Sequence, residues 1–170
     1  MLEVVTGRVN PSGKLSETYP MTYEDTPAFI FGSGPEDRCE YREGIFTGYR
    51  YYDRREIPVR FPFGFGLSYT SFSYSDLKTD ETGVSFTITN TGEYAGSEIA
   101  QLYVGMGESR ILRPKKELKG FKKVFLEPGE SRSVNIPFDD MTFRFWDTNR
   151  GQWETEGGID KILVGANVSD

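Results

Sequence analysis

Histidine is absent from the chain, and cysteine occurs once, at Cys39. Without an imidazole there is no Ser-His-acid or Cys-His machinery and no Cys/His zinc set. A single cysteine allows no intrachain disulfide, so packing alone must hold the fold, and a reducing compartment such as the cytoplasm is compatible with it. Cys39 sits in the polar run GPEDRCEYRE with no base to activate it, and reads as an incidental thiol rather than a nucleophile. Long apolar runs are missing too. No stretch approaches the roughly 18 residues that span a bilayer, and the N-terminal MLEVVTGRVNPSG lacks the basic-then-apolar order of a signal peptide. No membrane partner is expected, and the compartment stays open.

A basic excess is also lacking. Twenty Lys and Arg against 26 Asp and Glu leave a formal net charge of −6, with both signs interspersed, so no positive field favours a polyphosphate and no nucleic-acid partner is expected. The one concentrated basic stretch, RPKKELKGFKK, carries Arg113, Lys115, Lys116, Lys119, Lys122 and Lys123 beside Glu117. Lysines that keep a solvated strand from pairing edge to edge are preferred there over a sugar or phosphate contact. Neither a cofactor nor a metal is expected.

What is present divides the chain in two. Its 170 residues are enough for one core with an appended arm, burying roughly 70% of the unfolded surface. Residues 1–68 show no sustained periodicity and are punctuated by Asn10-Pro11, Ser12-Gly13, Pro20, Pro27, Gly32, Gly34, Pro35, Pro58 and Pro62, which predicts an extended arm. The arm is nevertheless rich in Tyr and Phe, the opposite of a disordered linker, and such side chains need a surface to lie on. It is expected to fold back over the sandwich or to pair with a second copy.

Residues 69–170 change to short alternating segments with a turn signal every 8 to 12 residues, the pattern of a β-sandwich. Phe72 and Tyr74, with Asp76, share a face of the first strand. Val84, Phe86 and Ile88 alternate with Ser85, Thr87 and Thr89 in the second. In Ser97 to Met106 both faces are apolar, Ile99 and Tyr103 on one and Ala100, Leu102 and Val104 on the other, so the outer side of that strand should be covered. Leu118 to Leu126 reads as a strand bulged near Gly120, and Glu127-Pro128-Gly129-Glu130 as a type II turn. Val134, Ile136 and Phe138, then Phe143 and Phe145, then Ile162 and Val164 complete about seven strands, and the sandwich segment is expected to fold without the arm.

Three arm segments are distinctive: NPSGKL at Asn10 to Leu15, YREGIFTGYRYYD at Tyr41 to Asp53, and FPFGFGLSYTSF at Phe61 to Phe72. With TNTG at Thr89 to Gly92, QLYV at Gln101 to Val104, RPKKELKGFKKVFLEPGES from Arg113 to Ser131 and the closing ILVG, they resemble the tail of glycoside hydrolase family 3, the β-glucosidase and β-xylosidase group. The resemblance implies an all-β, immunoglobulin/fibronectin III-like sandwich with an aromatic-rich N-terminal arm. It also implies that the retaining machinery, a nucleophilic aspartate and an acid/base glutamate, belongs to segments that precede NPSGKL. The chain then reads as a non-catalytic C-terminal fragment whose partners are the catalytic domains of a parent glycosidase. The alternative is a free-standing carbohydrate-binding or protein-interaction module.

Two sets of residues are candidates for contact. Tyr41, Arg42, Glu43, Tyr49, Arg50, Asp53, Phe63 and Phe65 offer ion pairs and flat amphipathic rings suited to domain docking, preferred over sugar contact because interfaces are rich in Tyr and Arg. Trp146 and Trp153 bracket the turn Asp147 to Gly151 and are glycan-stacking candidates, with packing across a hairpin as the favoured reading. Gly64 and Gly66 fit a tight backbone approach rather than a phosphate loop. The acids Glu24, Asp25, Glu36, Asp37, Glu40, Glu43, Asp139 and Asp140 read as solvated loop charges, since a catalytic pair needs an apolar cleft.

Overall fold

A computed structural model describes residues 2–31 and 41–170. Cys39, Glu36, Asp37 and Glu40 therefore lie outside the described residues. The arm carries a short helix α1 (Leu2–Val5), strand β1 (Tyr19–Pro20), a 3-10 turn (Tyr23–Asp25), α2 (Pro27–Phe31), α3 (Tyr49–Arg55) and strand β2 (Val59–Phe61), which pairs antiparallel with β1. No helix among the described residues is long and apolar enough to cross a membrane.

Two three-stranded antiparallel sheets follow. The first has the order β3 (Phe72–Thr79), β4 (Gly83–Asn90), β7 (Ser131–Pro137); the second has β10 (Asp160–Gly165), β5 (Gly96–Met106), β6 (Glu117–Leu126). A separate hairpin joins β8 (Phe145–Asp147) to β9 (Gln152–Glu154). Alternation in β4 sends Val84, Phe86 and Ile88 into the core, where they meet Ala100, Leu102, Val124, Leu126, Val134 and Ile136 from the other strands. Each Val, Ile, Leu or Phe side chain among them contributes about 1.5–3 kcal/mol on full burial. Every member of this cluster, partly buried neighbours included, comes from residues beyond Ser68.

Local departures have local causes. Asp76 takes a left-handed φ of 55° at the register shift of β3, and this bulge turns it out to solvent instead of leaving it on the Phe72/Tyr74 face. In β6 Leu102 faces Gly120 while Tyr103 faces Leu118, so Lys119 is the extra residue of a bulge. A Cβ at Gly120 would come within 2.7 Å of Ile136 Cγ2 of the opposite sheet, which explains the glycine beside the bulge. Phe143 belongs to a turn rather than to a strand, and only Phe145 enters β8.

Asn90 is the polar hub at the end of β4. Fully buried, it donates to the carbonyls of Tyr94 and Leu126 and accepts from the Thr70 hydroxyl and the Gly92 amide. Such a group is tolerated in a core only when it is satisfied in this way. It ties the start of the first strand to the β4–β5 turn.

Candidate functional site

The outer face of β5 is covered by the arm. Residues Gln101 to Gly105 are buried in succession, which a strand with one solvated face cannot show. Tyr103, on that outer face, packs edge-on against Tyr49 at 6.0 Å between ring centroids, in a second cluster with Val168, Phe63 and Leu118. Its hydroxyl donates to Gln101 Oε1 at 2.6 Å, and Gln101 Nε2 donates to the Ala166 carbonyl. Burial pushes the Tyr103 hydroxyl pKa well up, with the neighbouring Tyr49 and acids Asp53 and Asp170 adding to the effect.

Helix α3 supplies Tyr49 to this cover. Gly48 precedes it and Pro58 follows its αL cap at Glu56, so the segment is held to seven residues. Tyr49 and Tyr52 lie three apart, on one face of the helix, and both are buried. Arg50 lies 3.4 Å from Glu117, and Asp53 lies 3.8 Å from Lys116, beyond hydrogen-bond reach. Desolvation outweighs Lys116 and Lys115 and raises the Asp53 carboxyl pKa. Phe63 packs on Tyr49 at 5.1 Å, and its carbonyl accepts from the Val168 amide. Tyr49, Arg50, Asp53 and Phe63 are thus brought together, and they hold the arm to its own sandwich.

Three further contacts secure the seam. Lys14 and Glu98 form an ion pair at 2.7 Å with both side chains largely buried. Asn10 donates to the Ala95 carbonyl and accepts from the Ser68 hydroxyl and the Tyr69 amide. Gly64 lies against the Gln101 side chain and Gly66 against the Gly13 carbonyl, so closely that a Cβ would collide at either place. The tight approach expected of FGFG is therefore made, toward β5 and toward NPSGKL.

Other candidates face away. Tyr41 is 82% exposed. Arg42 is exposed and Glu43 half-buried beside it. Phe65 stacks obliquely on Phe61 at 4.9 Å, and Phe61 meets Tyr19 edge-on. With Pro11, Leu15 and Leu67 these rings line an open apolar groove of about 560 Å³ on the outside of the arm. Sequence reasoning noted the segments but not that β1–β2 pairing gathers them; its signal was the Tyr-Pro and Val-Arg-Phe strands on either side of the helices.

Trp146 and Trp153 face each other across the β8–β9 hairpin, rings T-shaped at 5.7 Å, with 48% and 50% of their surface exposed. They border a cleft of about 440 Å³ whose other wall includes Ile45 and Arg50 of the arm. Packing across a hairpin and exposure of indole surface hold at once. Among the described residues no group of three His, Cys, Asp or Glu stands ready for a metal ion.

Residues 98–168 match the family model of the fibronectin type III-like domain. The two sheets and the missing disulfide agree with that class, an all-β sandwich of fibronectin III type carrying an arm. Over 178 residues the chain is 46% identical to thermostable β-glucosidase B of Acetivibrio thermocellus, covering 100% of this chain and 24% of that protein. It is 41% identical over 175 residues to an exo-α-(1→6)-L-arabinopyranosidase of Bifidobacterium breve, covering 100% of this chain and 23% of that one. The crystal structure of the Bifidobacterium adolescentis GH3 β-glucosidase superimposes with a TM-score of 0.92 at 42% identity, over 99% of this chain and 26% of that chain. The chain belongs to glycoside hydrolase family 3, where it corresponds to the C-terminal, fibronectin III-like part of the β-glucosidases. It spans about a quarter of the length of the curated relatives it matches.

Proposed function

We propose that the chain is the non-catalytic C-terminal buttress of a β-glucosidase-type glycoside hydrolase and that it docks on that enzyme's catalytic domains. The observation that carries this reading is the outer groove of the arm. The arm's inner side is consumed by its own sandwich, whereas Tyr19, Phe61, Phe65 and Leu67 remain open, with Leu67 71% exposed. Contiguous apolar surface of this kind marks an interaction site. Tyr41, Arg42 and Glu43 extend the docking surface on the arm.

The setting of the described carboxyl groups supports the non-catalytic part. Retaining glycoside hydrolysis needs two carboxyl groups about 5–5.5 Å apart. Among the described carboxyl groups whose pKa departs from its ordinary value, Asp53 alone is raised, and the charges that act on it are those of Lys116 and Lys115 rather than of a second acid. The chain matches a β-glucosidase and an arabinopyranosidase almost equally well, so sugar choice resides elsewhere in such enzymes. In isolation, the groove is where two copies would pair.

The purified chain should release no aryl group from aryl β-glucosides or β-xylosides. Turnover that survives repurification and disappears on substituting an acid of this chain would overturn the reading.

A further inference from the structure

We propose that the cleft beneath the Trp146/Trp153 hairpin binds a neutral oligosaccharide. The exposure of both indoles follows from the register of the hairpin. Side chains alternate along β8, and its inward pair is fixed: Phe145 lies under the guanidinium groups of Arg110, at 5.4 Å, and Arg113, at 5.0 Å. Asp147, also inward and buried, receives Arg110 at 2.9 Å and the amides of Asn149 and Arg150. With Phe145 and Asp147 held, Trp146 must point out, and pairing places Trp153 directly opposite.

The T-shaped arrangement matters chemically. In such a pair the ring that offers its edge keeps both its faces clear of its partner. An indole face open to water is the surface on which the axial C–H bonds of a pyranose stack. The cleft below continues with groups suited to hydroxyls. Arg50 and Lys119 converge on Glu117 at 3.4 and 3.9 Å, and Arg144 lies 3.5 Å from Asp140. At these separations the partners attract one another with donor and acceptor capacity to spare. A sugar hydroxyl, both donor and acceptor, fits between acid and base. Arg144 has its own acid in Asp140, and Arg50 and Lys119 share Glu117, so each of these three cations already has a carboxylate neighbour and none is held ready for an anionic ligand.

The two indoles are the only tryptophans in the chain, so its indole fluorescence reports this cleft alone. Titration of the full chain with cellotetraose, xylotetraose and maltotetraose should give a saturable change for at least one of them, with a millimolar or tighter dissociation constant. Shifts of the two indole N–H resonances in the unmodified chain should saturate at the same concentration. Trp153→Ala should weaken binding about tenfold or more; Trp153→Phe, which retains an aromatic ring to brace the hairpin, serves where the alanine variant does not fold. No saturable response to any of the three sugars in either measurement overturns the proposal. So does a response confined to an oligogalacturonide, which would make the ligand anionic, or a response that Trp153→Phe leaves unchanged together with an unmoved indole resonance. None of these outcomes bears on docking to catalytic domains through the groove of Tyr19, Phe61, Phe65 and Leu67, none of which lines this cleft.

Discussion

The backbone amide of Leu118 donates to the phenolic oxygen of Tyr49 at 2.9 Å, so a side chain of the arm completes the hydrogen bonding of strand β6. Tyr49→Phe keeps the ring contacts with Phe63 and Tyr103 but leaves that amide without its acceptor, which should cost about 1–3 kcal/mol. Tyr49→Ala removes the ring as well and should cost about 3–5 kcal/mol. Urea unfolding of the two variants distinguishes them; a Tyr49→Phe variant as stable as the original chain would mean that the hydroxyl has no role.

Because the main core draws nothing from the arm, residues 69–170 are expected to unfold cooperatively on their own. They should be less stable than the whole chain, since Tyr103 loses Tyr49 and Phe63. Thermal unfolding of the fragment by circular dichroism checks this. A fragment without any transition would show that the arm is part of the folding unit.

Asp53 sets a pH dependence. Its folded pKa lies above the ordinary carboxylate value because desolvation outweighs the attraction of Lys116 and Lys115. The folded state therefore holds a proton that the unfolded chain releases, so the contribution is fully present below the ordinary pKa and lost as pH rises through the raised one. Asp53→Asn should remove that decline, gaining on the original chain from mildly acid pH toward neutrality. Its Oδ2 has no hydrogen-bond partner to lose. Denaturation midpoints across that range test it, and parallel pH profiles would contradict it.

The isolated chain should self-associate through the groove in a concentration-dependent way. Placing a charge at its centre with Phe61→Lys, or at its rim with Leu67→Lys, should return the chain to a monomer without loss of fold, because both residues are exposed. Light scattering at several concentrations reads this directly. A monomer at all concentrations in the unmodified chain would remove self-association from the account.

The sandwich was legible because its signals are local. Val84/Phe86/Ile88 alternate against Ser85/Thr87/Thr89, Pro128-Gly129 marks a turn in which Gly129 adopts a φ of 75°, and Gly120 marks the bulge. The two-sided apolar pattern around Tyr103 announced a cover, though not its source. Helix α3 was not foreseen, since seven residues carry too little periodicity; the Tyr49/Tyr52 spacing between Gly48 and Pro58 was its trace. The Lys14–Glu98 pair and the Asn10–Ala95 contact join residues more than 80 positions apart, and no single-chain pattern predicts such partners. The outward groove likewise exists only once β1 meets β2. Of the residues expected to dock a neighbouring domain, Tyr49, Arg50, Asp53 and Phe63 turn to their own sandwich, whereas Phe65 and Tyr41 face outward.

The central claim, that this chain buttresses glycosidase catalytic domains, is tested most directly by a graft. In thermostable β-glucosidase B of Acetivibrio thermocellus, the region aligned with this chain is either deleted or replaced by this chain, and β-glucoside hydrolysis is measured in both proteins. The account predicts that the deletion is inactive or insoluble, that the graft recovers activity, and that Phe61→Lys within the graft removes most of the recovery. A deletion as active as the graft, or a folded graft no better than the deletion, would contradict it.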